Sequence, residues 1–422
     1  MIWTRIGALG LGLLGLLPAA AADQARPERA KSPVLQIEDG AVVPAPDAVA
    51  DGPARQLDVV APKAAADPGC PPGNRKVCRR RCAKGVPAAC YELGRAFRLG
   101  EGGKQSNRLA ARWYAKACKG GHGPACSDLG YLTERGIGTE RSPAKATRYY
   151  ERACKLDYAM GCKNLAVALD SGRGEAEDPE RAADLFERAC AGGDMGGCNG
   201  IGFAFEHGRG RPTNRDQAVA YYRRACAGGY GRGCSNLAFM HERGRGVAEN
   251  KARAAELYRK ACELDEMAGC NGVGVAWRHG WGRDKDPTRA ALYYQQACDG
   301  KFWLACRNLA TLYEEGEGVA ENLPRARRYY ELACKGGNAG GCNGLGFAVE
   351  RGWGVGKSDR KALGHYLKAC ELDSATGCFN AGLFCEQGRG TARSPAKARR
   401  LFTKACKLGK RDACERIDEK RN

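Results

Sequence analysis

Apolar and small residues recur along most of the chain in a pattern that repeats every 36 residues. Positions are counted from the cysteine that begins each unit. An aliphatic residue lies at +3, a small residue at +4 and usually a large apolar residue at +7, as in Cys198, Ile201, Gly202 and Phe205. Offsets of 0, 3, 4 and 7 share one face of an α-helix. The pattern therefore predicts an amphipathic helix, which we name helix A.

A second helix, helix B, is predicted in the later half of each unit. Glycine occupies positions +10 and +12 of every unit, where helix A must end and the chain reverse. Alanine at +20, an aromatic residue at +24 and alanine at +27 then follow at helical spacing. Position +16 always holds a residue that can cap the helix N-terminus, namely Ser106, Ser142, Asp178, Asn214, Asn250, Asp286, Asn322, Ser358 and Ser394.

Paired cysteines bound every unit. The first cysteine is expected to end helix B and the second to begin the next helix A, so the residues between them form a corner that brings two sulfurs within bonding distance. Closing so short a loop stabilises the fold by about 2 to 3 kcal/mol in the chain-entropy model. We predict ten disulfides: Cys82–Cys90, Cys118–Cys126, Cys154–Cys162, Cys190–Cys198, Cys226–Cys234, Cys262–Cys270, Cys298–Cys306, Cys334–Cys342, Cys370–Cys378 and Cys406–Cys414.

Three further cysteines stand outside this register. Cys70 and Cys78 have the same spacing out of phase and are candidates for an eleventh bridge, whereas Cys385 falls at a core position of helix A and is expected to be a buried free thiol. A structural metal is not expected, because one corner offers only two thiolates and no Cys-x2-Cys motif occurs.

Two helices per unit, with small residues where they cross, predict a helical hairpin that must stack on its neighbours to bury its apolar face. The predicted fold is therefore an all-α, right-handed, disulfide-stapled α/α solenoid. Nine repeats span residues 90–413, between an N-terminal cap at 70–89 and a C-terminal cap at 414–422.

Alternate units differ at position +2. The units that begin at Cys198, Cys270 and Cys342 share Cys-Asn-Gly-x-Gly, which indicates duplication of a double unit. Glycine inside a helix costs about 1 kcal/mol relative to alanine. Something other than helix propensity must therefore stabilise these helices.

The N-terminal region predicts export. Residues 1–22 combine a basic start, an apolar run and a small-residue cleavage site, so we interpret them as a signal peptide. No lipoprotein cysteine follows directly, and no transmembrane segment is expected after cleavage. Residues 23–69 are rich in Ala, Pro and Asp and are expected to form a disordered linker. This arrangement and the 23 cysteines predict a secreted or periplasmic protein.

The Leu-Gly of helix A, the Gly-x-Gly turn and the ending Tyr-Tyr-x-x-Ala-Cys of helix B, as at 149–154, resemble the Sel1-like repeat family, a relative of tetratricopeptide repeats. The recurring cysteine pairs resemble its Helicobacter cysteine-rich subfamily. This resemblance implies secreted or periplasmic adaptors. It also implies penicillin binding or weak β-lactamase activity in some members, without a residue motif that could be transferred.

Catalytic motifs are weak. Ser142, Ser358 and Ser394 each begin a Ser-x-x-Lys sequence like that of serine β-lactamases. All three occupy the +16 capping position, where sister units carry Asp or Asn, and no Lys-Thr-Gly motif follows. The five histidines do not converge. We expect no catalytic residue and no cofactor.

Position +5, with +1 and +8, forms a second stripe on helix A, and the resemblance to tetratricopeptide arrays implies that it lines a concave surface. Rigid aromatics among amides and carboxylates suit a peptide or protein partner with basic groups. The alternative is that the aromatics simply pack against a neighbouring helix. The candidate partner-binding residues are Tyr131, Phe203, Phe239, Phe347, Asn199, Asn271, Asn343, Glu134, Glu206, Glu242, Glu314 and Glu350.

The formal net charge of +20 indicates an anionic partner. The Lys and Arg pairs of helix B stand among acidic residues and are expected to form a solvated convex face, on which an anionic cell-envelope polymer could bind; nucleic acid is not expected. The sequence thus predicts a non-enzymatic interaction scaffold. The alternatives are a cell-wall-active β-lactamase or penicillin-binding hydrolase, and a polyanion-binding envelope protein.

Overall fold

A computed structural model describes residues 70–418, which form twenty α-helices and no strand. The predicted signal peptide and linker, and the last four residues of the predicted C-terminal cap, lie outside the described residues. The helices are α1 (Arg75–Ala83), α2 (Pro87–Leu99), α3 (Asn107–Lys119), α4 (Gly123–Arg135), α5 (Pro143–Lys155), α6 (Ala159–Asp170), α7 (Pro179–Ala191), α8 (Met195–His207), α9 (Arg215–Ala227), α10 (Gly231–Arg243), α11 (Lys251–Glu263), α12 (Met267–His279), α13 (Pro287–Asp299), α14 (Trp303–Glu315), α15 (Leu323–Lys335), α16 (Ala339–Arg351), α17 (Asp359–Glu371), α18 (Ala375–Gln387), α19 (Pro395–Lys407) and α20 (Arg411–Asp418).

Helical hairpins stack along the chain. The odd-numbered helices are helices B and the even-numbered ones are helices A. Each helix packs against the next along the chain, and most successive helices A also contact each other. The prediction of an all-α solenoid is confirmed.

Helix A begins earlier than predicted. In the repeat of Cys126, α3 ends at Lys119 and α4 begins at Gly123, so the cysteine lies in the first turn of helix A and the connection is only three residues long. The prediction that helix A starts at the cysteine was therefore wrong. The preceding residues are mostly glycine and polar, and they carry no apolar period that could reveal a helix.

The predicted reversal at positions +10 and +12 is confirmed. All eighteen glycines at these positions have positive φ. At Gly210 (φ 68°), a Cβ atom would also overlap the backbone carbonyl of Pro179, at the start of the previous helix B. The turn thus packs directly on the preceding repeat, and only glycine fits there.

The predicted caps are confirmed as well. In all nine units the side chain at +16 accepts a hydrogen bond from the backbone N–H three residues later, as Asp178 does from Arg181 at 3.0 Å. Each cap satisfies one of the amides that a helix start leaves without a partner.

Eleven disulfides join the described cysteines, comprising the ten predicted pairs and Cys70–Cys78. Each joins the end of a helix B to the first turn of the following helix A, except that Cys70–Cys78 ties the start of α1. Cys385 is a buried free thiol, as predicted.

The aromatic ring at +24 explains the glycines inside helix A. A Cβ on Gly346, at +4, would lie 2.7 Å from the Tyr366 ring of the same repeat. A Cβ on Gly344, at +2, would lie 2.6 Å from the Tyr330 ring of the preceding repeat. Each ring is therefore flanked by helix A of its own repeat and by helix A of the next. Tight packing of these rings offsets the poor helix propensity of glycine.

Candidate interaction face on helices A

The helix A face comprises positions +1, +5, +8 and +9 of the helices A. The aromatic residues at +5 are half-buried. Tyr131 lies between two guanidinium groups, with the Cζ atoms of Arg98 and Arg135 at 5.8 and 5.5 Å from its ring centroid. The Tyr131 ring is thus partly accessible and has cationic neighbours.

The other three aromatics repeat this arrangement. The ring centroids of Phe203 and His207 are 4.3 Å apart. The Phe239 ring has Arg243 at 5.7 Å, and the Phe347 ring has Arg351 at 5.2 Å. An aromatic residue followed four positions later by a basic one is therefore the recurring motif of this face, because the two share a side of the helix.

The asparagines at +1 bind the neighbouring repeat. The Oδ1 atoms of Asn199, Asn271 and Asn343 each accept a hydrogen bond of 2.9 Å from the asparagine at +2 of the next repeat, which is Asn236, Asn308 and Asn380 respectively. Asn199 and Asn271 are buried. The expectation that these amides are presented to a partner requires correction, because they form an inter-repeat contact.

The glutamates at +8 are also engaged. Tyr222, at +24, donates its hydroxyl hydrogen to the Glu206 carboxylate at 2.8 Å. Burial and this carboxylate raise the pKa of Tyr222 well above its ordinary value, so it remains a neutral donor. The same bond, at 2.5 to 2.8 Å, joins Tyr150 to Glu134, Tyr258 to Glu242, Tyr330 to Glu314 and Tyr366 to Glu350.

Arginines at +11 of the following repeat pair with several of these carboxylates. Glu134 and Arg173 lie 2.6 Å apart, and Glu350 and Arg389 lie 2.9 Å apart. Between the repeats of Cys270 and Cys306 the charges are exchanged, with Arg278 at +8 and Glu317 at +11 separated by 2.6 Å. The five carboxylates predicted as recognition groups therefore bind a tyrosine of their own repeat, and those of Glu134, Glu206 and Glu350 also pair with an arginine of the next repeat.

Most exposed ionisable side chains of the face lie at +9, where Glu315 is acidic and the others are Arg or His. The side chains of His207 and Arg243 are 46% and 47% exposed, whereas that of Glu206 is 7% exposed. Within residues 70–418, Arg135 and Arg351 are exposed and form no ion pair. Sequence reasoning missed this position, although the aromatic-to-basic spacing of four residues was readable.

The Ser-x-x-Lys sequences have a structural role. The hydroxyl oxygens of Ser142, Ser358 and Ser394 accept the backbone N–H of the lysine at 3.3 to 3.4 Å, and Lys145 pairs with Glu140 at 3.5 Å. No lysine amine is paired with a serine hydroxyl in these motifs, so they lack the nucleophile and base arrangement.

Two further searches of the described part of the chain were negative. Residues 70–418 contain no cluster of His, Cys, Asp and Glu that could bind a metal ion. None of the helices in this range is long and apolar enough to span a bilayer.

Solved structures share this architecture. A protective antigen with an SLR fold from uropathogenic Escherichia coli matches at 24% identity and a TM-score of 0.58, over 82% of each chain. A Sel1 repeat protein from Oxalobacter formigenes matches at 22% identity and a TM-score of 0.52, over 58% of this chain and 96% of its own. Cysteine rich protein B of Helicobacter pylori is 34% identical over 31% of this chain and 94% of its own, with a TM-score of 0.27.

No curated protein matches the chain. The Sel1 repeat family matches nine consecutive segments, at residues 87–122, 123–158, 159–194, 197–230, 231–266, 268–302, 303–338, 339–374 and 375–410. Seven of these segments begin at the first residue of a helix A. The chain therefore belongs to the Sel1 repeat family.

Proposed function

We propose that this protein is a non-enzymatic scaffold outside the cytoplasm that binds an extended peptide segment of a partner protein along the helix A face. The observation that carries the proposal is the recurrence of a half-buried ring with an exposed basic side chain beside it, at Tyr131, Phe203, Phe239 and Phe347. Rigid aromatics with accessible edges are the residues that contribute most to protein interfaces.

The partner carries apolar and acidic side chains. The sequence predicted a partner with basic groups, on the assumption that the +8 carboxylates are free. Those carboxylates accept hydrogen bonds from tyrosine hydroxyls. The exposed charged residues at +9 are three arginines and one glutamate, namely Arg135, Arg243, Arg351 and Glu315. A guanidinium held over a ring is well placed to bind a carboxylate.

The packing of the helices supports the choice of face. Successive helices A contact one another along most of the array, whereas successive helices B within residues 70–418 do not approach as closely. A stack bends toward the side on which its elements are closer together. The helices A then line the inner, concave side, where one long segment can contact several repeats.

The disulfide content supports a location outside the cytoplasm. Twenty-two of the described cysteines are bonded. Cytosolic thiols are kept reduced, so an array of this kind belongs to the periplasm or the extracellular space. The predicted signal peptide is in accord with this location.

Selection from a random peptide phage library tests the proposal. The folded wild-type array should enrich peptides that combine aromatic or aliphatic residues with Asp or Glu. Replacing Phe203, Phe239 and Phe347 with Ser should lower the affinity for an enriched peptide at least ~100-fold, since each ring contributes about 1 to 2 kcal/mol. Isothermal titration would measure this loss.

A matched control uses three half-buried aromatics of the helices B, namely Tyr149, Tyr293 and Tyr329. Their replacement by Ser should leave the affinity nearly unchanged. Circular dichroism would establish that both variants are folded. Equal losses in the two variants, or no enrichment by the wild type, would contradict the proposal.

A further inference from the structure

The outward side of the helices B is not uniformly balanced in charge. The sequence led us to expect basic residues interspersed with acidic ones. This holds for central repeats, such as α11 with Glu256 and Glu263 beside Lys260, but not for the N-terminal end. Neither α1 nor α3 contains an acidic residue, and they carry five and four basic residues respectively.

Three positions of helix B, +22, +26 and +29, point away from the core, because the buried positions are +20, +21, +24, +27 and +28. In α1, α3 and α5 these outward positions hold eight basic residues, all exposed, and no acidic residue. We call this set the cation grid; it consists of Lys76, Arg80, Arg112, Lys116, Lys119, Arg148, Arg152 and Lys155.

The rows of the cation grid on α3 and α5 lie side by side. Arg152 of α5 donates a hydrogen bond to the carbonyl oxygen of Lys119 at the end of α3, at 3.1 Å. Within residues 70–418, Lys155 is the one member that forms an ion pair, with Glu151 at 3.0 Å. The remaining cations are not neutralised by the protein, so they leave a net positive surface for an external anion.

The layout of the grid indicates the kind of partner. Positions +22 to +29 extend about 10 Å along each helix, and three helices repeat them across the face. Charge is thus spread in two dimensions, as on a bilayer surface, whereas a linear polymer would contact one row. Trp113 is half-buried beside Lys116, whose Nζ lies 5.9 Å from its ring centroid. The accessible part of the indole adds apolar contact area to the charged surface.

We propose that the cation grid of α1, α3 and α5 docks the N-terminal end of the array on a bilayer that contains anionic phospholipids. Each basic side chain near such a surface strengthens binding by about fivefold, so eight suffice for peripheral attachment. The helix A face lies on the other side of the hairpins and stays available to its own partner. The attachment is electrostatic and should weaken steeply with salt.

Flotation with vesicles tests the proposal. Full-length protein is mixed with vesicles of phosphatidylglycerol and phosphatidylcholine, or of phosphatidylcholine alone. The wild type should bind the anionic vesicles at least ~100-fold more tightly. The variant Arg112→Glu, Lys119→Glu, Arg148→Glu should lose about 100-fold of that binding. The three side chains are exposed and form no ion pair within the described residues, so the variant should fold.

A charge-matched control separates the cation grid from net charge. Arg223, Lys260 and Arg328 are exposed cations on central helices B. Their replacement by Glu changes the net charge equally and should leave vesicle binding within about threefold of the wild type.

Three results would overturn the proposal. These are an equal loss in the control, equal binding of the wild type to phosphatidylcholine alone, and tighter binding to soluble polyphosphate than to the anionic vesicles at the same phosphate concentration. The last outcome would assign the cation grid to a linear polyanion.

Discussion

A single glycine in a helix can be necessary or merely tolerated, and this array contains both kinds. Gly344 faces the Tyr330 ring, and an added Cβ would lie 2.6 Å from its Cδ1 atom. Gly364, inside α17, has no atom within 4 Å of the position of a Cβ. The same substitution should therefore have opposite effects at the two positions.

We expect Gly344→Ala to destabilise the array by about 1 to 3 kcal/mol, because the ring must move within a packed interface. Gly364→Ala should stabilise it by about 0.5 to 1 kcal/mol, because alanine lowers the entropy lost on folding. Urea denaturation of the two variants would measure both changes. Changes of the same sign in the free energy of unfolding would show that contact with the ring is not the reason for glycine at position 344.

Buried tyrosine hydroxyls make the array less stable at high pH. Burial, with Glu206 second, raises the pKa of Tyr222 above its ordinary value of about 10. When the pKa of a group is higher in the folded state than in the unfolded state, its contribution to the free energy of unfolding is complete below the unfolded-state pKa. That contribution is lost as the pH rises toward the folded-state pKa. The unfolded tyrosine releases its proton first, so stability falls above pH ~10 by about 1.4 kcal/mol per pH unit for each such group.

The variant Tyr222→Phe isolates this effect. It should be less stable than the wild type at pH 8, since the Glu206 carboxylate loses a buried donor. Its stability should then fall less steeply between pH 10 and 11. Urea midpoints at pH 8, 9, 10 and 11 would reveal the difference, and identical slopes for the two proteins would refute the assignment.

At the scale of the helices, the sequence predicts regular features well. The caps at +16, the glycine turns and the disulfide pairs follow from local chemistry that each repeat displays nine times, and all are present. The start of helix A was misplaced because Gly123 and its neighbours have no apolar periodicity. The first turn of a helix that packs closely on another helix needs small residues. Small residues contribute little to the apolar periodicity by which a helix is recognised in a sequence.

The candidate site was predicted less well, for a physical reason. Positions +1 and +8 lie beside the core stripe, so the sequence cannot decide whether Asn199 or Glu206 faces solvent or a neighbouring repeat. That depends on the rotation of one hairpin against the next, which places Asn236 on Asn199, and on the packing of helices A and B within a hairpin, which places Tyr222 on Glu206. The aromatics at +5 were selected from the sequence as candidates and are half-buried in the structure, but their basic neighbours at +9 were overlooked.

From the repeat of Cys162 to that of Cys378, two kinds of interface alternate. Asn–Asn hydrogen bonds join the repeats of Cys198 and Cys234, of Cys270 and Cys306, and of Cys342 and Cys378. At the intervening interfaces an aromatic ring packs on a glycine at +2, as Tyr330 does on Gly344. The double unit seen in the sequence therefore has a structural basis, because each repeat from that of Cys198 to that of Cys342 has one polar and one aromatic neighbour contact.

Removing a central disulfide should allow the two halves of the array to unfold separately. The pair Cys226–Cys234 is buried in the middle of the chain of repeats. Replacing both cysteines with Ala should cost about 2.5 kcal/mol by the chain-entropy model. Stability in a stack is a sum of repeat and neighbour contributions, so a weak central repeat should separate one urea transition into two.

The terminal pair Cys406–Cys414 provides the control. Its removal should leave a single transition with a lower midpoint, because only the last repeat is weakened. Circular dichroism during urea titration would follow both variants. A single, unbroken transition in the central variant would show that the repeats are coupled too strongly for one corner to matter.

The eight-residue separation of every bridge has a consequence for biogenesis. A chain that emerges into an oxidising compartment from its N-terminus exposes both members of a pair almost together, long before distant thiols arrive. Each crosslink can thus close in order of appearance, without waiting for the rest of the molecule. Recombination that adds or deletes a whole repeat would likewise preserve every pairing. The number of repeats can therefore change during evolution without altering the disulfides of the remaining repeats.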